Sequence, residues 1–410
     1  MLPTSTAPTA AEAADEVSDL DYLLKILHWS GTMRHPHAGP WASRVHYLVK
    51  ALSTVALSLF ICSQSVLLSR DGVADLQRFT LTLSVLATAS TWMMRLRHIA
   101  AWEPEFHKLA VQVRRDFGEF LSADDLQLLR LRNTSIRRFV SAYLCSGVVT
   151  SAIYASTPIS ADGLPFVLAL PYDVSRPLSF AATWLYTLYI NYFVVVGTMA
   201  ADSFNVVLIV QLRNQLNLLS RNLHSLNDNI SHSNSSSFQT QSIKNTQQYE
   251  NRIIHCRLRK SVLHHQSVIR NVQLLEKCLS GMLLGQSLSI GTSLCLQLFQ
   301  AATRAEGFQD LGKTSSYMLA MLLELFMYCW FGDDLVSESE KVALSAYDAV
   351  TSVQECPTST KRSLLLLMVR AQRPLRVTAG GFFTLSRESF VSVLNVSYSF
   401  FAILRNFKDD

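Results

Sequence analysis

Ser386-Arg387-Glu388-Ser389-Phe390-Val391-Ser392-Val393-Leu394-Asn395-Val396-Ser397-Tyr398-Ser399-Phe400-Phe401-Ala402-Ile403-Leu404-Arg405-Asn406-Phe407 lies almost at the end of the chain. Coiled as one helix, a run of this length crosses the roughly 30 Å of hydrocarbon in a bilayer. Its apolar residues are interleaved with Ser389, Ser392, Asn395, Ser397, Tyr398 and Ser399, so one helix face is small or polar. A helix facing lipid all round has no use for such a stripe. The stripe suits either close packing through small residues or a water-lined conduit, and the residues alone favour packing.

Similar apolar runs recur upstream. The 410 residues are 49% hydrophobic and only 16% charged, with Asp, Glu, Lys and Arg well below the roughly 25% of a soluble domain. Spans are expected at 44–68, 79–101, 138–157, 178–212, 278–302 and 313–331, followed by a short helix at 361–369 and the last span at 386–407. Lipid offers backbone groups no partner, and the even alternation of a barrel is absent. The expected class is an all-α polytopic membrane protein with seven transmembrane helices.

The formal charge is +5, but the cations are confined to particular connections and do not point to nucleic acid. Arg95, Arg97, Lys108, Arg114, Arg115, Arg130, Arg132, Arg137 and Arg138 follow the second span, and a second basic group from Arg213 to Arg270 follows the fourth. The alternate connections hold few. By the positive-inside bias the N-terminus is expected in the cytosol and the C-terminus outside. The resulting division is a cytoplasmic segment at 1–43, spans at 44–212 with amphipathic cytoplasmic helices at about 103–135, and a cytoplasmic extension at 213–277. Spans follow at 278–332, then a cytoplasmic anchor region at 333–385 and the last span at 386–410. Long helices are expected to project past the membrane. Between about 220 and 250 the composition collapses into Ser, Asn and Gln, which predicts a disordered insertion.

The first twenty residues lack a basic and an apolar region, so no cleaved signal is expected. The seven cysteines lack CxxC spacing and read as small core residues. Sequences for nucleotide or metalloprotease chemistry are absent, and the histidines around His28, His35, His37, His46 and His255, His264, His265 lack ligand spacing. No catalytic residue, cofactor or metal site is expected. Asp202 and Glu324 fall inside spans, where burying a charge costs several kcal/mol, and are read as hydrogen-bonded structural acids. Asp333-Asp334 is read as a helix-end cap or packing feature behind the sixth span.

Aromatic, Met and isolated hydroxyl side chains collect in the outward halves of four spans. They are Thr80, Leu83, Ser84 and Ala87; Val148, Ser151, Ala152 and Tyr154; Phe180, Trp184, Thr187 and Leu188; and Tyr317, Met318, Met321 and Leu322. Such a set suits a small apolar ligand, whose affinity comes from buried area while one or two polar groups set orientation. It equally suits a packing seam or an interfacial aromatic belt.

Tyr328-Cys329-Trp330-Phe331-Gly332-Asp333-Asp334, Arg370-Ala371-Gln372-Arg373-Pro374 and Thr378-Ala379-Gly380-Gly381-Phe382-Phe383-Thr384-Leu385-Ser386 precede the last span. Together they resemble the C-terminal signature of insect odorant receptors. The resemblance is most specific from Met321 to Lys408. It implies an odour-tuned subunit, distinct from the shared co-receptor, that joins the co-receptor in a heterotetramer around a central pore. It further implies a ligand-gated nonselective cation channel for small volatile molecules, multi-pass in the plasma membrane of olfactory sensory neuron dendrites. In that arrangement Asn395, Ser399, Ile403, Asn406 and Phe407 line the pore, with Ile403 and Phe407 as the gate. The membrane lipid and a volatile organic ligand are the other expected partners. A secondary transporter or membrane-bound enzyme is the competing reading, weakened by the lack of internal repeats.

Overall fold

The computed structural model describes residues 18–71, 76–121, 123–156, 163–226, 240–303, 308–352 and 356–409. The described residues are all-α apart from one two-stranded hairpin. Helices α1 (Ser18–Trp29), α2 (Pro40–Asp71), α3 (Leu76–Ala101), α4 (Glu103–Phe120) and α5 (Ala123–Ser156) form the first half. They are followed by α6 (Pro177–His224), α7 (Thr240–Thr303), α8 (Phe308–Ser352) and α9 (Thr358–Ala371). The hairpin β1 (Thr378–Ala379) and β2 (Phe383–Thr384) then leads into α10 (Arg387–Asp409).

The helices outrun the expected spans. At 1.5 Å per residue the 48 residues of α6 reach about 72 Å and the 64 of α7 about 96 Å, two to three bilayer cores long. The reason is that amphipathic sequence carries the helix onward after the apolar run ends, with α4 and α9 packed against those extensions. Of these helices, α2, α5, α6 and α7 are long and apolar enough to cross a membrane by composition alone. In α3 and α8 the apolar run is interrupted by Arg95 and Glu324, which find partners inside the bundle.

Helix α6 is the hub. It is apolar all round, and from Ile190 to Leu223 nearly every side chain is buried against α5, α8, α7 or α1. Its Pro177 sits in the first turn, where the missing N–H leaves no hydrogen bond unmade. By contrast α2 exposes Leu48, Leu52, Val55 and Leu59 along one stripe. A row of bare aliphatic side chains at spacings of four and three belongs in hydrocarbon rather than water.

Three expectations are corrected here. Part of the Ser/Asn-rich stretch is helical, since α7 already begins at Thr240; residues 227–239 lie outside the described set. Asp333-Asp334 does not end a helix, because α8 runs on unbroken to Ser352. Arg95 is not a loop cation; it is 1% exposed in the middle of the bundle.

The block before α10 has a definite structural role. Gly380 and Gly381 have φ of +62° and +75°, a left-handed turn open to glycine, and they close the hairpin. The hairpin is stapled to α7: the Gly380 N–H donates to the Ser280 carbonyl at 2.9 Å, and the Thr378 N–H to Glu276 at 2.7 Å. On α8, Gly332 lets the chain pass at Leu385; a Cβ there would sit 2.8 Å from the Leu385 carbonyl oxygen.

Candidate functional site

A cavity opens among α2, α3, α5, α6 and α8, closed on one side by Phe166 of the loop before α6. Phe60, Val85, Ala89, Ile190 and Val194 supply its apolar wall, while Ser84, Thr88, Thr150, Tyr154, Asn191 and Tyr317 supply polar groups. Most of these polar groups are already engaged. Thr88 bonds to the Tyr317 hydroxyl, and Gln297 donates to Ser84 Oγ at 3.0 Å. Asn191 spends its N–H groups on the Ser151 carbonyl and hydroxyl at 3.1 and 2.9 Å. Its amide oxygen and the Tyr154 hydroxyl have no partner among the described residues, which leaves one acceptor and one donor for a guest. Tyr154 stacks against Phe166 with centroids 6.2 Å apart.

The space amounts to about 80 Å³. That is roughly half of the 150 Å³ apolar cavity that accommodates benzene in an engineered protein core. Any larger guest enters only by moving the helices apart.

Of the residues singled out in the sequence, the cavity gathers Ser84, Tyr154 and Tyr317, with Ser151 behind Asn191. Thr80 and Leu83 instead line a second hollow of about 700 Å³ between α3, α7 and α10. Met318, Met321 and Leu322 pack in a seam with Ile290, Leu294 and the Phe390, Val393 and Leu394 of α10. Val148 and Ala152 are exposed on the outer face of α5, and Phe180 borders the loop that precedes α6. Thr187 is buried, its hydroxyl donating to the Trp184 carbonyl at 2.8 Å; Trp184, Leu188 and Ala87 are half-buried. The rest of the lining, Phe60, Thr88, Thr150, Phe166 and Asn191 among it, was missed. Thr88 carried a sequence signal, one helical turn beyond Ser84 on the same face.

Below the cavity lies a charged centre that spans five helices. Arg95 of α3 forks onto Asp202 of α6, with Nη1 3.4 Å from Oδ2 and Nη2 against Oδ1, and donates to Glu324 of α8 at 3.2 Å. Tyr328 and Tyr143 donate their hydroxyls to Asp202 at 2.8 and 3.2 Å, and Gln286 of α7 reaches both acids. Asp202 and Glu324 are therefore hydrogen-bonded, buried acids, and Arg95 is the counterion that sequence reading assigned to a loop. Trp92 packs over the guanidinium at 5.6 Å. One buried cation between two buried acids persists because most of the donors and acceptors are matched, Arg95 Nε and Gln286 Oε1 excepted, and removing one member exposes the rest.

Helix α10 is held at its base and along one face. Arg387 meets Asp333 at 3.3 Å and Asp334 at 2.8 Å, and lies 3.9 Å from the Trp330 ring centroid. Asp334 is shared with Arg213 of α6 at 3.0 Å. The acidic pair thus clamps the last helix to the bundle. Phe390, Val393, Leu394 and Ser397 face α7 and α8, with the Ser397 hydroxyl in contact range of Gly291. At 100° per residue, Asn395, Ser399 and Asn406 fall on the opposite side, with Ser392 and Ile403 at its edge, where they also border the hollow between α3, α7 and α10; all five are exposed. Phe407 is helical; its side chain lies outside the described residues.

In the stretch of α7 before its apolar run, burial pushes the His264 imidazole down to about 3, helped by the nearby His265 and Lys260 charges. Its ring stacks on Phe120 at 4.4 Å, and both nitrogens lack partners. Among the described residues no group of three or more His, Cys, Asp or Glu is arranged to hold a metal ion.

Comparisons with known proteins agree with this layout. The family model described as 7tm Odorant receptor matches residues 75–398. Odorant receptor 10 of Aedes albopictus is 25% identical over 311 residues, 72% of this chain and 75% of that protein. Odorant receptor 82a of Drosophila melanogaster is 20% identical over 349 residues, covering 81% and 85%. The solved structure of the insect olfactory receptor OR5 from Machilis hrabei superposes with a TM-score of 0.79 at 12% identity, over 94% of this chain and 97% of that one. The same receptor in complex with eugenol gives 0.76.

Proposed function

The chain belongs to the 7tm odorant receptor family of polytopic membrane proteins, and from that premise we propose that it is the odour-tuned subunit of a heteromeric ligand-gated cation channel. Its relatives are odorant receptors, not enzymes. In this reading the subunit pairs with a shared co-receptor in a heterotetramer in the plasma membrane. The chain crosses seven times through α2, α3, α5, α6, α7, α8 and α10, with the N-terminus inside and the C-terminus outside.

The observation that carries the reading is the polar stripe of α10. Asn395, Ser399 and Asn406 are exposed opposite the face that packs on α7 and α8, while Ser392 borders the hollow between α3, α7 and α10. Amides and hydroxyls turned outward from a bundle in a membrane need water or a polar neighbour. A pore shared between subunits supplies both, and Ile403, with Phe407 one turn on, is placed to narrow it. Assembly is supported by Leu365, Leu366 and Val369 of α9 with Leu344 and Tyr347 of α8, exposed together in the region read as the cytoplasmic anchor.

The ligand site in this reading is the cavity around Ser84, Thr88, Tyr154, Asn191 and Tyr317. Because it is tight when empty, an odorant favours whichever arrangement of α3, α5, α6 and α8 is wider. It biases the channel only by that difference in affinity. The seam of Met318, Met321 and Leu322 against Phe390 and Leu394 connects the moving α8 to the pore helix. The test is co-expression with a co-receptor and recording of odorant-evoked cation current. Silence across a broad volatile panel, despite delivery to the cell surface, refutes the proposal.

A further inference from the structure

Near the point where α7 enters the membrane, α7, the end of α9 and the loop before the hairpin surround an open hollow of about 630 Å³. Lys277, Arg370, Arg373 and Arg376 line it. The lining includes one carboxylate, Glu276, and both its oxygens are taken up by the N–H and hydroxyl of Thr378. Arg370 donates to the Arg373 carbonyl at 3.3 Å; Lys277, Arg373 and Arg376 form no ion pair among the described residues. Elsewhere in this chain Arg95, Arg213, Arg221 and Arg387 each meet a carboxylate. Four cations sharing one concave surface repel one another, and an acceptor-rich anion relieves that repulsion.

The loop that presents them is fixed before any guest arrives. Leu375 and Val377 are buried, and the Leu375 N–H donates to Ser339 Oγ at 2.9 Å. Pro374 restricts the backbone between the arginines. Arginine forks matched to tetrahedral oxyanions, at a place adjoining the apolar run that starts at Cys278, suit a phosphate group at the level of the headgroups.

We propose that this hollow binds a multiply phosphorylated polyanion. The chemistry is shared by a phosphoinositide headgroup and a soluble inositol polyphosphate. The placement beneath the inner leaflet rests on the topology proposed above. A guest there bridges α7 to the linker that leads into α10, and so bears on the base of the pore helix.

The full-length chain in phosphatidylcholine nanodiscs provides the test. In one arm a phosphatidylinositol bisphosphate is added to the nanodisc and retained lipid is counted by native mass spectrometry. In the other, inositol hexakisphosphate is titrated from solution. The R373Q/R376Q variant alters exposed side chains and is expected to weaken binding by about tenfold or more, the scale of lost charge-assisted hydrogen bonds. R114Q/R115Q, on the exposed face of α4, is expected to leave it unchanged. Binding in either arm with this pattern supports the site and identifies its source as lipid, soluble anion or both. Absence of binding in both arms, or equal binding by R373Q/R376Q, overturns it. Topology is read separately by an impermeant thiol reagent on S363C in a C62S/C145S/C256S background. Labelling from outside intact cells refutes the orientation while leaving the solution arm a valid test of the hollow.

Discussion

Replacing Arg95 by Met removes the cation from the charged centre while keeping an unbranched apolar stem. Asp202 and Glu324 then face each other through Gln286, inside a site where Asp202 is 0% and Glu324 3% exposed. Arg95 gives two bonds to Asp202 and one to Glu324. Breaking a buried pair by deleting one partner costs about 3–5 kcal/mol, a drop of roughly 100-fold to 4000-fold in the folded-to-unfolded ratio. Arg95→Lys keeps the charge but not the fork, so it cannot reach both acids in the same geometry and is expected to fall between. The triple replacement R95M/D202L/E324M removes every charge together, and its loss is expected to be smaller than that of Arg95→Met alone. Thermal unfolding of the purified protein, followed by fluorescence-detected size exclusion, ranks the variants. If Arg95→Met matches the native chain, or if the triple variant is worse than the single one, the charged centre does not hold the five helices together and the reasoning fails.

Further outcomes follow from the other sites. Ala89→Leu adds atoms to a cavity of about 80 Å³ and is expected to shift odorant dose–response curves to higher concentration without changing surface delivery; an unchanged response removes the cavity from consideration. Ile403→Ser is expected to raise the current recorded without odorant, by wetting the narrowest part of the proposed pore. In the stretch of α7 before its apolar run, burial pushes His264 down to about 3 and His265 to about 4, from an ordinary value near 6.5. The unfolded chain therefore takes up protons first, so stability present above pH 6.5 is lost progressively as pH falls toward 4. Thermal unfolding measured across that range checks the sign, and a His264→Phe variant is expected to be less acid-sensitive. Gly332→Ala forces Leu385 away from α8 and is expected to cost about 1–3 kcal/mol, read as a lower unfolding temperature.

The sequence by itself determined the class. Long apolar runs, sparse charge and the sidedness of the basic connections are local properties, and they define a helical membrane protein before any packing is known. The block from Tyr328 to Ser386 likewise carried the family through its turn glycines, acidic pair and arginines, although their contacts, such as Asp334 with Arg213 121 residues away, appear only in the folded chain. Tertiary structure alone decided which residues share a site. Hydropathy gives the face of a helix only loosely, so it grouped Met318, Met321 and Leu322 with Tyr317, whereas α8 turns Tyr317 to the cavity and the others to α10. Charge counting placed Arg95 in a loop, because the acids that neutralise it are 107 and 229 residues away in sequence. Pairings over such separations are created by the packing of α3, α6 and α8, and no local pattern encodes them.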